Sequence, residues 1–119
     1  MTLHFTNDHE WLELDGLNAK IGITDYAQRQ LGDVVYVDLP EVGRSFAAGE
    51  ALGEIESTKS VGELFAPGAG TVTAVNDAVA ADPTLVNAGA ESEGWLIEVT
   101  FDAAPEGLLS ADDYAALTA

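Results

Sequence analysis

The stretch Glu54-Ile55-Glu56-Ser57-Thr58-Lys59-Ser60-Val61 joins two runs that have the composition of β-strands, residues 50–57 and 61–66. Because so short a connection separates them, the two predicted strands form a hairpin with Lys59 at its apex. A side chain at such an apex stands on a narrow, rigid platform that another protein can enclose. Lys59 is therefore either a solvated charge or a lysine that awaits acylation, which would remove its charge and attach a long arm.

The rest of the chain repeats this pattern of short strands. Leu12 and Leu14 alternate with polar residues, and the pair Asp15-Gly16 that follows is a strong hairpin signal. Further strands are predicted over residues 17–23, 33–39, 71–76 and 95–101, and turns around residues 41–43, 47–49, 67–70 and 82–83.

Two short helices interrupt the strands. Thr24 is placed to cap a helix over residues 25–31, and Gly32 follows as its C-terminal stop. Near the end of the chain, Ser110-Ala111-Asp112-Asp113 resembles a capping box, which predicts a final helix near residues 111–118.

About seven short strands with only two minor helices predict a mainly β fold, either a sandwich or a barrel. A weak internal repeat points to two related halves. Residues 32–37 resemble residues 70–75, and residues 53–56 resemble residues 94–98. The repeat predicts a pseudo-two-fold relation, with the connection at residues 57–60 between the halves.

The composition excludes several functional classes. Four basic residues against 21 acidic ones leave a formal net charge of −17, and 47% of the residues are hydrophobic, which suits one domain over residues 1–119. So few basic residues argue against binding to nucleic-acid phosphates and to an anionic membrane surface. The N-terminus shows no targeting pattern and cysteine is absent, so we expect a protein of the bacterial cytoplasm.

The sequence does not have the features of an enzyme. His4 and His9 lack a metal-ligand spacing, and there is no cysteine to complete a site. No nucleophile motif and no glycine-rich phosphate loop is present. Carboxylate pairs are plentiful, but 21 acidic residues produce such pairs by accident.

Six blocks of the sequence carry a resemblance to a known family: residues 8–11 (Asp-His-Glu-Trp), 21–27, 31–40, 56–60 with Pro67 and Gly70, 85–87 and 93–96. Together these motifs resemble the glycine cleavage system H-protein family along nearly the whole chain. One segment departs from the family pattern: Ala88-Gly89-Ala90-Glu91-Ser92 stands where the family usually has Asp-Pro-Tyr-Gly.

The resemblance implies a lipoyl/biotinyl-type hybrid of β-sandwich and barrel that forms a single lipoyl-carrier domain. It implies a monomeric shuttle without catalytic activity of its own, with lipoate joined to Lys59 by an amide. A pyridoxal-phosphate glycine decarboxylase would load an aminomethyl group onto this arm. A tetrahydrofolate-dependent aminomethyltransferase would unload it, and dihydrolipoamide dehydrogenase would reoxidise the dithiol.

The resemblance also implies roles for five further residues. Glu56 and Gly70 match positions that the lipoylating enzyme recognises, and we expect Gly70 to supply a positive φ in its turn. Glu10 and Glu63 match positions at a cleft that shelters the aminomethyl-loaded arm, where a carboxylate can hold the cationic amine. Asp8 occupies a third position nearby, which the family usually fills with another polar residue.

Three other interpretations remain open on the residues alone. A biotinyl carrier typically has methionine on both sides of its lysine, whereas Thr58 and Ser60 flank Lys59 here. A lipoyl domain of a 2-oxoacid dehydrogenase usually has Asp-Lys-Ala at the apex and a flexible linker to a larger enzyme, and we find neither feature in this sequence. The third interpretation is an interaction module in which Lys59 is never modified.

Overall fold

A computed structural model describes residues 2–118, so Met1 and Ala119 of the predicted domain lie outside the described part. Its elements in chain order are β1 (Thr2–Phe5), β2 (Glu10–Asp15), β3 (Asn18–Ile23), α1 (Asp25–Leu31), β4 (Val34–Asp38), β5 (Ser45–Phe46), β6 (Ala51–Ser57), β7 (Val61–Phe65), β8 (Gly70–Val75), α2 (Asp77–Ala81), α3 (Thr84–Gly89), β9 (Ile97–Phe101) and α4 (Ala111–Leu117).

The strands form two antiparallel sheets, and the expected mainly β fold is confirmed. One sheet has the order β1-β2-β3-β9-β8-β5, and the other has the order β4-β6-β7. The main core includes side chains from both sheets, because the alternation of apolar residues turns one face of each strand inward. Its largest fully buried members are Phe101, Leu12, Ile21, Leu52, Ile55, Leu64, Leu96 and Ile97.

Strand pairing follows the repeat seen in the sequence. Strand β4, from the first copy of the repeat, pairs with β6, and β8, from the second copy, pairs with β9. Both pairs are antiparallel and both contain a register shift. The β6–β7 connection lies between the two copies of the repeat in the sequence, although β7 pairs with β6 in the three-stranded sheet.

Both predicted helices are present with the expected caps. The Thr24 hydroxyl accepts the N–H of Ala27 at 3.1 Å, and Gly32 closes α1 with a φ of 88°. The Ser110 hydroxyl accepts the N–H of Asp113 at 3.1 Å at the start of α4. A second apolar cluster, in which Tyr114 packs with Phe5 and Trp11, fixes α4 to β1 and β2.

Four elements differ from the sequence prediction. Strands β1 and β5 were not expected, and the predicted turn at residues 82–83 separates two unexpected helices, α2 and α3. These helices contain five and six residues, which is too short to show a 3.6-residue period. Each is held by one buried valine, Val79 in α2 and Val86 in α3.

Candidate functional site

The hairpin apex is built by the side chain of Ser57. Its hydroxyl accepts the N–H of Ser60 at 2.9 Å and that of Lys59 at 3.3 Å, while the Ser57 N–H donates to the Ser60 carbonyl at 2.8 Å. The N–H of Thr58 donates to the carbonyl of Asp33 at 3.1 Å, which ties the apex to the start of β4. The serine before the apex therefore replaces backbone hydrogen bonds that a hairpin this tight cannot make.

Lys59 is exposed at this apex, and its hydrocarbon stem lies against Gly32. A Cβ atom added to Gly32 would lie 3.2 Å from the Lys59 Cε and 3.7 Å from its Cδ. Gly32 also has the positive φ that ends α1, so two requirements favour glycine there. The lysine stem thus runs over the end of α1, one residue from Leu31.

Lys20, the other lysine of the chain, is held in the sheet instead. It lies on β3 directly between Glu13 of β2 and Glu98 of β9. Its ammonium lies 5.1 Å from the ring centroid of Trp95, a cation–π distance. Lys20 therefore lies among residues of the neighbouring strands, whereas Lys59 projects from the apex of the β6–β7 hairpin.

A cleft of about 410 Å³ opens beside Leu31. It lies between α1, the edge strand β7 and the loop that precedes β2. Gly62 keeps it open, because a Cβ added there would lie 3.3 Å from the Leu31 Cδ2. Half of its lining residues are apolar or glycine (Ile23, Ala27, Leu31, Ile55 and Gly62), and half are polar (Asp8, His9, Tyr26, Gln30 and Glu63).

Asp8 and Glu63 are the carboxylates that line this cleft. Asp8 belongs to the loop before β2, and Glu63 lies on β7, four residues after Lys59. Both side chains are exposed. The structure thus brings two of the three predicted cleft carboxylates to one opening.

Glu10 differs from the expectation, because it does not line the cleft. Its side chain is 1% exposed; it accepts the N–H of Phe65 at 2.6 Å and the hydroxyl of Thr6 at 3.3 Å. Burial raises the pKa of Glu10 from 4.5 to about 8, and the nearby charge of Asp8 adds to the rise, while the bond from Phe65 opposes it. Glu10 is therefore mostly uncharged at neutral pH and fastens β2 to β7.

Glu56 is half-buried and lies between two exposed residues in a row that crosses the three-stranded sheet. It pairs with Tyr36 of β4 on one side and with Val61 of β7 on the other. A register shift between Val34 and Tyr36 leaves Val35 exposed as well. The Glu56 carboxylate is thus flanked by apolar side chains, close to the hairpin apex.

Gly70 does not have the positive φ that was expected, because it lies within β8 in an extended strand. Glycine is required there by space. A Cβ atom added to Gly70 would clash with the carbonyl oxygen of Thr100 and lie 2.9 Å from the Cα of Phe101. Strand β9 therefore approaches Gly70 closely, and the expectation of special turn geometry was wrong.

No sequence motif indicated the contacts around His9. His9 lines the cleft with a φ of 64°, the one positive φ of a non-glycine residue within 2–118. Its Nδ1 lies 2.8 Å from the hydroxyl of Tyr114, which is 105 residues away in sequence. No local pattern could indicate such a pair, since the two side chains meet only when α4 packs on β1 and β2.

Comparison of the sequence and the structure with known proteins points to one protein family. The model of the family described as glycine cleavage H-protein matches residues 3–119. The chain belongs to the glycine cleavage H-protein family. It is 58% identical to the glycine cleavage system H protein of Clavibacter sepedonicus, over 98% of this chain and 94% of that protein. It is 55% identical to the H protein of Acidiphilium cryptum, over 97% and 94%.

A solved structure agrees with the fold. The crystal structure of a glycine cleavage system H protein from Mycobacterium marinum matches this chain with a TM-score of 0.91 at 40% identity, covering 97% of this chain and 94% of that one. Proteins of this family are carriers and not enzymes, hold lipoate covalently on a lysine, and work with the other components of the glycine cleavage system. The longest helices within residues 2–118 have seven residues each, too few to span a membrane.

The atypical segment at residues 88–92 is packed into the fold. Ala90 is 1% exposed, and its carbonyl accepts the indole N–H of Trp11 at 2.9 Å. The Glu91 carboxylate accepts the N–H of Asp25 at 2.8 Å at the start of α1. This departure from the family pattern therefore supports the first turn of the helix that walls the cleft.

Proposed function

We propose that Lys59 is the lysine that carries lipoate, and that the lipoyl arm moves between the hairpin apex and the cleft beside α1. The observation that carries this proposal is the position of the Lys59 stem on Gly32, one residue from the cleft wall at Leu31. An amide at Nζ would remove one positive charge from a chain whose formal net charge is already −17.

The cleft lining suits such an arm. Bound lipoate would supply a hydrocarbon chain that ends in a disulfide, and cleavage of its S–S bond would let one sulfur take up the aminomethyl group while the other becomes a thiol. Ile23, Leu31 and Ile55 give the chain an apolar surface. Asp8 and Glu63 offer carboxylates to the cationic amine at its end, where ionic hydrogen bonds are stronger than neutral ones.

Glu10 has a supporting role in this proposal. Its carboxyl group holds the N–H of Phe65 and thereby fixes β7, the strand that bears Glu63. Because Glu10 is buried, a charged amine in the open cleft meets Asp8 and Glu63 first. Glu10 therefore shapes the cleft from behind, and the two exposed carboxylates face the arm.

Four enzymes would use this monomeric carrier in turn. The lipoylating enzyme would recognise Glu56 in its row between Tyr36 and Val61, close to the apex. Glycine decarboxylase would load the arm, the tetrahydrofolate-dependent aminomethyltransferase would unload it, and dihydrolipoamide dehydrogenase would reoxidise it. The strong negative charge would speed each encounter with a partner whose docking face is basic.

A reconstituted reaction tests the proposal. The lipoylated protein is mixed with purified glycine decarboxylase and labelled glycine, and the released carbon dioxide is measured. Without the aminomethyltransferase, we expect no more than one equivalent per carrier, and with all partners present we expect turnover. Lys59→Arg should abolish both, whereas the matched variant Lys20→Arg should retain both. Full activity of Lys59→Arg would contradict the proposal.

A further inference from the structure

The hydroxyl of Tyr114 joins three parts of the chain. It lies 2.8 Å from the Nδ1 of His9 and 2.7 Å from the hydroxyl of Thr24. Thr24 in turn caps α1 by accepting the N–H of Ala27. A continuous hydrogen-bonded chain therefore runs from the C-terminal helix α4 to both the loop before β2 and the first turn of α1.

The ring of Tyr114 is fixed independently of its hydroxyl. It stacks on Phe5 with 4.7 Å between ring centroids and 8° between ring planes, and the residue is 7% exposed. Burial, as the largest influence, raises the pKa of the Tyr114 hydroxyl, so the group keeps its proton and can donate. The stacking thus fixes the position of the ring, so that its hydroxyl can donate a hydrogen bond in a fixed direction.

The backbone of His9 is in the left-handed region, which costs energy for a residue with a side chain. Backbone bonds hold this conformation: the N–H of His9 donates to Thr6 at 3.1 Å, and its carbonyl accepts from Thr24 at 3.0 Å. These bonds fix where the imidazole starts but leave its ring free to turn. The ring direction is set by Nδ1 on Tyr114 and by contact with Tyr26, whose ring centroid lies 4.8 Å away.

We propose that Tyr114 is a positioning residue for the arm cleft, and that it acts by holding the imidazole of His9 in place as a cleft wall. The inference rests on the proposed function, since it assumes that the arm enters this cleft. His9 lines the cleft, and within residues 2–118 its ring makes a hydrogen bond through Nδ1 and none through Nε2, so Nε2 can bond to an arm that enters. Helix α4 therefore helps to retain the aminomethyl group in the cleft, although no residue of α4 lines the cleft.

Tyr114→Phe tests the role of the hydroxyl without removing the ring. The full-length lipoylated protein is loaded with the aminomethyl group, the partners are removed, and the loss of the group is followed. In that reaction water breaks the S–C and C–N bonds, so that thiol, formaldehyde and ammonia are released. We expect loss to be about two- to tenfold faster than in the parent, the effect of one lost hydrogen bond. Thr73→Val, which removes a hydroxyl at an exposed position of β8 outside the cleft lining, is the matched control and should leave the lifetime unchanged.

Two further measurements separate positioning from stability. His9→Ala should shorten the lifetime by itself, and adding Tyr114→Phe to it should have no further effect, because Tyr114 acts through His9. Ring nitrogen signals of His9 in the protein before lipoylation should shift in Tyr114→Phe, while those of His4 should not.

The outcomes distinguish this inference from the proposed function. If the adduct on the parent protein breaks down as fast as a free lipoamide adduct, the cleft does not protect the arm, and both the proposed function of the cleft and this inference are overturned. A protected parent with an equally protected Tyr114→Phe would overturn only the role of Tyr114. Additive effects of the two substitutions would also overturn it, since they would show that Tyr114 does not act through His9.

Discussion

The carboxyl group of Glu10 accepts the backbone N–H of Phe65 at 2.6 Å and so joins two residues 55 positions apart. Phe65 lies at the end of β7, the edge strand of the three-stranded sheet, and Glu10 opens β2 of the other sheet. An edge strand has unpaired backbone donors. The bond satisfies one of these donors and links the two sheets beside the cleft.

Glu10 should make the stability of the protein depend on pH. Its pKa is about 8 in the folded protein and 4.5 without burial. The stabilisation from this raised pKa is fully present below pH 4.5 and is lost as the pH rises to about 8. The total loss is up to about 5 kcal/mol at roughly 1.4 kcal/mol per pH unit.

Glu10→Gln isolates this effect from the other 20 acidic residues, since glutamine is neutral throughout and its amide oxygen can still accept from Phe65. Urea unfolding of the parent and the variant between pH 5 and pH 8 measures it. We expect the free energy of unfolding of the parent to fall more steeply with pH than that of the variant. Parallel curves would show that Glu10 does not hold a proton in the folded state.

Gly70→Ala should destabilise the protein because the added methyl group has no room beside β9, and not because the backbone φ at this position requires glycine. The added Cβ would press on the backbone of Thr100 and Phe101 and force β8 away from β9. We expect a loss of roughly 1–3 kcal/mol in the free energy of unfolding, as is typical of overpacking. Ala69→Ser, at the exposed neighbouring position, is the control. A Gly70→Ala variant as stable as the parent would mean that β9 can move away at little cost.

Glu63→Gln should shorten the lifetime of the aminomethyl adduct on the isolated carrier. Glu63 is exposed, so loss of its charge should accelerate breakdown by only about two- to fivefold, and salt should reduce the difference. Asp8→Asn should act in the same direction. Glu54→Gln changes the net charge equally and lies directly opposite Glu63 on β6, but outside the cleft lining. If Glu54→Gln shortened the lifetime as much, general charge and not the cleft would be the cause.

Glu56→Gln should slow lipoylation of the carrier without affecting its fold. The substitution keeps the size of the side chain and removes the charge between Tyr36 and Val61. The initial rate of lipoyl transfer at limiting carrier concentration measures the effect, and thermal unfolding checks the fold. Glu54→Gln again serves as the control on the same strand. An unchanged rate would mean that Glu56 is only a solvated strand residue.

The local parts of the structure could be predicted from the sequence. The Thr24 and Ser110 caps, the hairpin at Gly16 and the apex at Lys59 each depend on residues within four positions of one another, so their signals survive in sequence alone. Helices α2 and α3 could not be predicted, because each is too short for periodicity and is stabilised by one valine in a distant core.

The cleft could be predicted only in part. Resemblance to the family pointed to Asp8 and Glu63, which line it, and to Glu10, which is buried behind it. Nothing in the residues around Glu10 shows that its partner is a backbone N–H of β7. The link between His9 and Tyr114 was not predicted for the same reason, since side-chain contacts across 105 residues appear only in the packed structure.

Peptide mapping of the protein purified from lipoate-replete cells shows directly whether Lys59 carries lipoate. The chain contains two lysines, so the adduct has only two side-chain ammonium groups to choose between. We expect one lipoyl group, on the peptide that contains Lys59, and an unmodified peptide around Lys20. An adduct on Lys20, or a chain that remains wholly unmodified, would contradict this expectation.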